Sequence, residues 1–125
     1  MGSEMCIRDS RHGYWTLPAG FLENGESIEE GALRETLEEA KLQVSDVKLF
    51  TILSVPHINQ IYTFFTGKVV NDDFGPTLES SEVELFKFDD IPWSELAFPT
   101  VIKTLKLFLE HGDDKIINET LKPRV

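Results

Sequence analysis

Three glutamates at helical spacing are the residues of this sequence best suited to chemistry. Glu35, Glu38 and Glu39 are related as i, i+3 and i+4, so on a helix their side chains share one face. Clustered like charges destabilise a helix unless a cation or a base neutralises them. Two interpretations are open: a solvated acidic face, or a carboxylate site for Mg²⁺ or Mn²⁺, which prefer oxygen ligands.

The charge around these glutamates is concentrated. Seven of the 22 acidic residues lie between Gly20 and Leu42, beside only Arg34 and Lys41, and the net charge is −10. This charge argues against a nucleic-acid partner, because Lys and Arg grip phosphate backbones. A small phosphorylated substrate stays compatible, since divalent cations held by carboxylates can bind it.

The elements that would position the glutamates are readable from local signals. Ser27 and Glu30 have the spacing of a capping box, so we predict a helix from Ser27 to about Ala40. A short strand over residues 13–18 and a glycine-punctuated loop over residues 19–26 lead into it.

The remaining chain predicts one α/β domain. Strand-like runs cover residues 47–55, 60–70 and 83–88, and a second helix covers roughly 100–110. This order predicts a mixed sheet that carries helices on its faces. Residues 1–12 lack apolar periodicity, so we expect a non-native or disordered leader there and the domain at residues 13–125.

Cysteine usage and hydropathy predict the compartment. The lone Cys6 excludes an internal disulfide and a cysteine-based zinc site made by this chain alone. No apolar run approaches the roughly 20 residues that span a bilayer, and the charged start is unlike a secretory signal. We therefore expect a cytoplasmic protein with no membrane partner.

The segment from Gly20 to Leu42, GFLENGESIEEGALRETLEEAKL, resembles the Nudix box, G-x5-E-x7-R-E-U-x-E-E-x-G-U, where U is bulky and apolar. The positions in register are Gly20, Glu26, Arg34, Glu35, Glu38, Glu39 and Leu42. Two positions depart: Thr36 stands at the first U, and Lys41 replaces the late glycine. Because lysine adopts a left-handed turn less readily than glycine, we expect a different exit from the helix.

The resemblance implies a role for each matched residue. Glu35, Glu38 and Glu39 would hold one to three Mg²⁺ ions together with the carbonyl of Gly20. Glu26 and Arg34 would form a structural ion pair. The carboxylate that takes the proton of the attacking water would come from the box or from a later loop. The candidates for this base are Glu38, Glu79 and Glu82.

The similarity extends beyond the box, over about Tyr14 to Leu109. The stretches WTLPAGF, PHINQ, ESSEVELF and IPWSELAFPT are similar to a bacterial Nudix subgroup that usually carries a zinc ribbon and is linked to ADP-ribose and FAD pyrophosphatases. Such a ribbon needs four cysteines, which this chain lacks. We expect an α/β/α sandwich without its usual N-terminal strands. Its sheet edge is then open, or covered by the leader or by a second copy in a homodimer.

Four further residues are candidates for substrate contacts. Trp15 could line a nucleotide pocket or be a strand aromatic in the core. His57 and Gln60 could contact a base or ribose, or form a polar turn. Phe98 could stack on adenine or isoalloxazine, or pack as a hydrophobic staple of the second helix.

The resemblance implies a Mg²⁺-dependent hydrolase of the pyrophosphate bond in a nucleoside diphosphate linked to another moiety. ADP-ribose and FAD are the leading substrates, and AMP is one product. The alternatives are a nucleoside triphosphate pyrophosphohydrolase, a Nudix-fold nucleotide-binding protein without turnover, and a fragment that folds only as a dimer.

Overall fold

The computed structural model describes residues 4–9, 14–17, 21–70, 75, 80–112 and 114–122, and for residues 4–9, 80–82 and 88 it describes the backbone. The regular structure of this part of the chain includes six strands and two α-helices, besides three short 3-10 turns. The strands and α-helices are β1 (Glu4–Asp9), β2 (Trp15–Thr16), α1 (Ile28–Ala40), β3 (Val44–Val55), β4 (Gln60–Val69), β5 (Ser80–Phe86), α2 (Pro99–His111) and β6 (Ile117–Thr120).

The strands form two three-stranded sheets. One has the order β2-β1-β5 and is antiparallel. The other has the order β4-β3-β6, with β3 antiparallel to β4 and parallel to β6. The predicted mixed sheet is therefore confirmed, and both predicted helices are present with ends within one residue of their expected positions.

The N-terminal segment corrects one expectation. We predicted no strand before Tyr14, yet β1 lies between β2 and β5, where Ile7 is opposite Thr16 on one side and Val83 on the other. The segment has little apolar pattern of its own, but two neighbouring strands offer it backbone partners, and pairing decides its structure. The leader thus supplies the central strand of this sheet, whose outer strands are β2 and β5. The foreign origin of the leader stays a prediction.

The main core joins both sheets to α2. Its buried residues come from β2, β3, β4, α2 and the segment before α2: Trp15, Leu53, Phe64, Ile91, Leu96, Val101 and Leu105. A second cluster, formed by Ala40 and Leu42 with Val44 and Val83, packs the end of α1 against β3 and β5. The hydroxyls of Thr51 and Thr104 are buried and bonded to each other at 3.2 Å.

Neither helix in the described part of the chain has the length and apolar character needed to cross a membrane.

Candidate active site

The start of α1 sets the register of its glutamates. The Ser27 hydroxyl accepts a hydrogen bond from the Glu30 amide at 3.1 Å, and the Glu30 carboxylate accepts one from the Ser27 amide at 2.9 Å. This reciprocal capping box is the one predicted from sequence, and it satisfies two backbone donors at the exposed helix end. With the start fixed at Ile28, Glu35, Glu38 and Glu39 fall on one face of the helix.

Arg34 ties the loop before α1 to the helix. Its Nε donates to Glu26 Oε2 at 2.6 Å and its Nη2 donates to Glu26 Oε1 at 3.1 Å, a two-point contact. The same Nη2 also donates to the carbonyl of Phe21 at 3.0 Å. The ion pair implied by the family resemblance is thus present, and it clamps residues 21–26 against α1.

Glu26 has its acceptor positions engaged by this clamp. Beyond Arg34, its Oε1 accepts the backbone N–H of Glu23 at 2.9 Å. The hydrogen bond from Arg34, followed by that backbone hydrogen bond, lowers the pKa of Glu26, and the carboxylate in turn raises the pKa of Arg34 above its usual range. Both oxygens of Glu26 are thus engaged by Arg34 and the loop backbone, and Glu26 lies outside the cluster of proposed cation ligands.

The opposite corner of the same guanidinium reaches two of the predicted metal ligands. Arg34 Nη1 donates to Glu35 Oε1 at 2.6 Å and to Glu38 Oε2 at 3.1 Å. Glu35 is largely covered, with 16% of its side chain exposed, whereas Glu38 is 48% exposed. This shared cation explains how α1 tolerates so dense a cluster of like charges.

The donor set fits a hard divalent cation in its chemistry, because it consists of carboxylates on one helix face. The positions of these side chains, however, do not form a metal-binding cluster. Among the residues whose side chains are described, no three of the His, Cys, Asp and Glu residues are grouped closely enough to hold a metal ion. The physical reason is visible in the contacts, since Arg34 draws Glu35 and Glu38 towards itself. Glu39 lies half-buried on the same face.

Of the other predicted ligands and bases, the structure describes only the backbone of Glu82. Gly20 and Glu79 lie outside the described residues. Glu82 pairs with Arg8 in the backbone of β5, and its neighbour Val83 packs in the cluster that covers the end of α1. The structure therefore brings the backbone of Glu82 to the end of the helix that carries Glu38 and Glu39.

The predicted substrate contacts separate into different places. Trp15 is only 3% exposed and packs edge-on against Phe86 with ring centroids 5.0 Å apart, which favours the core interpretation. His57 is exposed in the turn after β3, and Gln60 accepts a hydrogen bond from Tyr62 at the start of β4. That turn lies at the far end of β3 from the end that follows α1.

Phe98 is the predicted contact whose ring is accessible. It precedes α2, and its side chain is 52% exposed. Trp15 and Leu96 form a parallel bridge, and the Ala97 amide donates to the Trp15 carbonyl at 2.8 Å. Phe98 therefore lies beside the exit of β2, from which the chain runs towards the loop clamped by Arg34.

Phe21 is an accessible aromatic that the sequence analysis missed. Its side chain is 83% exposed although its carbonyl is held by Arg34. The next residue, Leu22, rests on the helix at Gly31, where an added β-carbon would lie 2.5 Å from Leu22 Cδ2. The available signal was an aromatic directly after the first glycine of the box.

Comparison with known families identifies the family of this chain. A family model described as the NUDIX domain matches residues 4–108. The chain belongs to the Nudix family.

Solved Nudix structures share the whole architecture. A NUDIX hydrolase from Nitrosomonas europaea superposes with a TM-score of 0.91 at 38% identity, covering 98% of this chain and 73% of that one. An ADP-ribose pyrophosphatase from Streptococcus suis 89-1591 has a TM-score of 0.74 at 24% identity, covering 94% and 88%. At this lower identity the likeness shows the fold alone.

Curated Nudix relatives are longer proteins. The NAD-capped RNA hydrolase NudC of Edwardsiella ictaluri (strain 93-146) is 31% identical over 91 residues, which are 70% of this chain and 35% of that protein. The protein of the same name from Escherichia coli O1:K1 / APEC is 31% identical over 87 residues, 66% of this chain and 32% of that protein. The chain thus spans about a third of the length of these relatives.

The two departures from the Nudix box are accommodated locally. The Thr36 hydroxyl donates to the Ala32 carbonyl at 2.8 Å, so its polar atom is satisfied within the helix. Lys41 adopts the left-handed conformation itself, with φ 57° and ψ 29°, and its amide donates to the Leu37 carbonyl. The expectation of a different helix exit was wrong, because the closing hydrogen bond outweighs the strain at Lys41.

Proposed function

We propose that this Nudix domain hydrolyses the pyrophosphate bond of a nucleoside diphosphate linked to another moiety. ADP-ribose and FAD are the leading substrates, and AMP and a phosphorylated remainder are the products. The observation that carries the proposal is the single face of α1 that presents Glu35, Glu38 and Glu39 beside the clamped loop. Uniting three carboxylates there serves cation-assisted phosphoryl chemistry better than it serves helix stability.

A divalent cation, Mg²⁺ or Mn²⁺, would be held by Glu35, Glu38 and Glu39 with the carbonyl of Gly20. When bound, it supplies charge neutralisation for the phosphates and a lowered pKa for water. The attacking water oxygen forms a new bond to one phosphorus while the bridging P–O bond breaks. A carboxylate accepts the water proton, and the separated phosphate keeps the bond's electron pair. Glu38, Glu79 and Glu82 remain the candidates for that base, and Glu38 has the exposure that the role requires.

We propose substrate contacts from the chemistry and the exposure of the candidate side chains. Phe98, and with it Phe21, offers an exposed ring on which a base can stack. Contacts by His57, Gln60 and Trp15 stay predictions, and the burial of Trp15 weighs against its contact. The curated relatives are named NAD-capped RNA hydrolases, and NAD contains the adenosine diphosphate group of the proposed substrates. The net charge of −10 still argues against a grip on the RNA chain itself.

The test is a panel of substrates with Mg²⁺ and Mn²⁺, with products separated by chromatography. The panel contains ADP-ribose, FAD, NADH, an NAD-capped oligoribonucleotide and the common nucleoside triphosphates. AMP from ADP-ribose or FAD is the expected result. Pyrophosphate from a triphosphate would establish the alternative hydrolase class, and turnover of the capped oligonucleotide alone would overturn the prediction of no nucleic-acid partner. Binding of ADP-ribose without any product would establish the binding protein instead.

The location and the oligomeric state of the protein are also proposals. A cytoplasmic location is proposed from the single cysteine. We also propose a homodimer, and the mass measured by size-exclusion chromatography tests it directly. A monomer that melts cooperatively would remove both the homodimer and the fragment that folds only as a dimer.

A further inference from the structure

We propose that Arg34 is an exchangeable counter-ion, which Glu35 and Glu38 give up when they take the divalent cation. On this view Arg34 lowers the affinity of the site for the cation while it fastens the loop. The inference rests on the proposed function, because it takes Glu35 and Glu38 as cation ligands. It adds a competition between two cations for the same oxygens.

The contacts divide the guanidinium into two parts. Nε and Nη2 face the loop, where they bind both oxygens of Glu26 and the carbonyl of Phe21. Nη1 faces the helix, where it binds Glu35 and Glu38. Because the two parts have separate partners, the helix contacts can open while the loop contacts stay closed.

Glu26 has the stronger hold on the group. It makes two hydrogen bonds to the guanidinium, one of them at 2.6 Å, and the backbone amide of Glu23 fixes its Oε1 in place. Glu38 accepts from Nη1 through both of its oxygens, at 3.1 and 3.5 Å, and both contacts are longer than the 2.6 Å contact of Glu26. The side chain of Glu38 is 48% exposed, so it can turn away into solvent. Glu35 has one short contact, through Oε1.

Electrostatics makes sharing unfavourable. A divalent cation on the same carboxylate oxygens would be repelled by the guanidinium, because charges of like sign repel appreciably at the dielectric of a partly covered site. Binding of the cation therefore requires Glu35 and Glu38 to turn away from Nη1. The free energy of those contacts is subtracted from the free energy of cation binding.

The decisive observable is the sign of one change in affinity. A neutral residue at position 34 frees both carboxylates and removes the repelling charge, so competition predicts tighter cation binding. If Arg34 only positions the ligands, the same change loosens the loop and the helix face, and cation binding weakens. Turnover cannot separate these cases, whereas direct cation binding does.

The experiment measures Mn²⁺ binding by the electron paramagnetic resonance signal of free Mn²⁺, with Mg²⁺ as competitor. Wild type is compared with Arg34→Gln and with Lys103→Gln. The control removes the positive charge of Lys103, which lies on α2 and forms an ion pair with Glu119 of β6. We expect the dissociation constant to fall about tenfold in Arg34→Gln and to stay near the wild-type value in Lys103→Gln.

Each other outcome has a distinct meaning. Equal or weaker binding by folded Arg34→Gln overturns the exchange and leaves the proposed function standing. Absence of Mn²⁺ binding by wild type overturns the ligand assignment and the exchange together. Equal tightening in Lys103→Gln assigns the effect to net charge and also overturns the exchange.

A measurement on wild type covers the case in which Arg34→Gln does not fold. Arginine side chains labelled with ¹⁵N are followed by NMR during a Mg²⁺ titration, and Arg34 is assigned from Arg34→Lys. We expect the Nη signals to shift as their contacts open, while the Nε–H signal bonded to Glu26 stays in place. Unchanged Nη signals at saturating Mg²⁺ overturn the exchange.

Discussion

Replacing Lys41 with glycine is expected to stabilise the domain. Lys41 ends α1 in the left-handed conformation, with φ 57° and ψ 29°, directly after the turn that carries Glu38 and Glu39. A residue with a β-carbon loses about 1–2 kcal/mol in that conformation. Glycine removes the strain but adds about 0.4–1 kcal/mol of freedom to the unfolded chain. The net gain is about 0.5–1 kcal/mol, or roughly 2–4 °C in the melting temperature of a chain of this length.

The assay is thermal unfolding followed by circular dichroism, supported by urea titration. Lys41→Ala is the matched control, because it removes the long side chain and keeps the β-carbon. We expect no gain in Lys41→Ala. Equal stabilisation by alanine and glycine would refute the reasoning, since the side chain and not the backbone would then be responsible. A loss of stability in Lys41→Gly would refute it as well.

Further predictions concern the clamp and the core. Glu26→Gln should lower the melting temperature while reducing Mn²⁺ affinity less than Glu39→Gln does, as titration will show. Because Arg34 lowers the pKa of Glu26 in the fold, its stabilisation is complete above the unfolded value of 4.5 and is lost as the pH falls through the lower folded pKa. Between the folded pKa of Glu26 and 4.5, the free energy of unfolding of Glu26→Gln should therefore fall less steeply with decreasing pH than that of wild type. Thr51→Val or Thr104→Val should each cost about 1–3 kcal/mol by leaving one buried hydroxyl unpaired, whereas the double variant should be close to neutral in urea unfolding.

The parts of the site that follow from local signals were predictable from sequence. The capping box of Ser27 and Glu30 depends on residues three apart, and its contacts are those expected. The face shared by Glu35, Glu38 and Glu39 follows from helical geometry once that start is known. The pairing of Glu26 with Arg34 came from the family pattern, which compensates for their separation along the chain.

The parts that depend on distant partners were not predictable. β1 forms because β2 and β5 flank it, and β6 forms because β3 offers a parallel partner between Thr51 and Ser54. Both segments have weak patterns of their own, so pairing supplies their structure. On α2, Leu109 stands at helical spacing from Leu105, yet Leu109 is 53% exposed, whereas Val101 and Leu105 are buried in the core.

The full set of Arg34 contacts could not be predicted from the sequence for a similar reason. Sequence spacing alone indicates that Arg34 can reach Glu38, four residues on. Only the folded loop shows that one guanidinium serves Glu26, Glu35 and Glu38 at once. The burial of Trp15 likewise depends on Phe86, which is distant in sequence and lies on β5.

The central claim is that cation-bound carboxylates on α1 carry out pyrophosphate hydrolysis, and AMP release from ADP-ribose tests it most directly. Wild type, Glu39→Gln and Glu110→Gln are compared with Mg²⁺ and with chelator, and melting temperatures are recorded alongside. Glu110 is the matched control, a glutamate near the end of the other helix with 68% of its side chain exposed. We predict Mg²⁺-dependent AMP release by wild type and Glu110→Gln, and none above background by a fully folded Glu39→Gln. Wild-type activity in Glu39→Gln, or AMP release undiminished by chelator, would contradict the account.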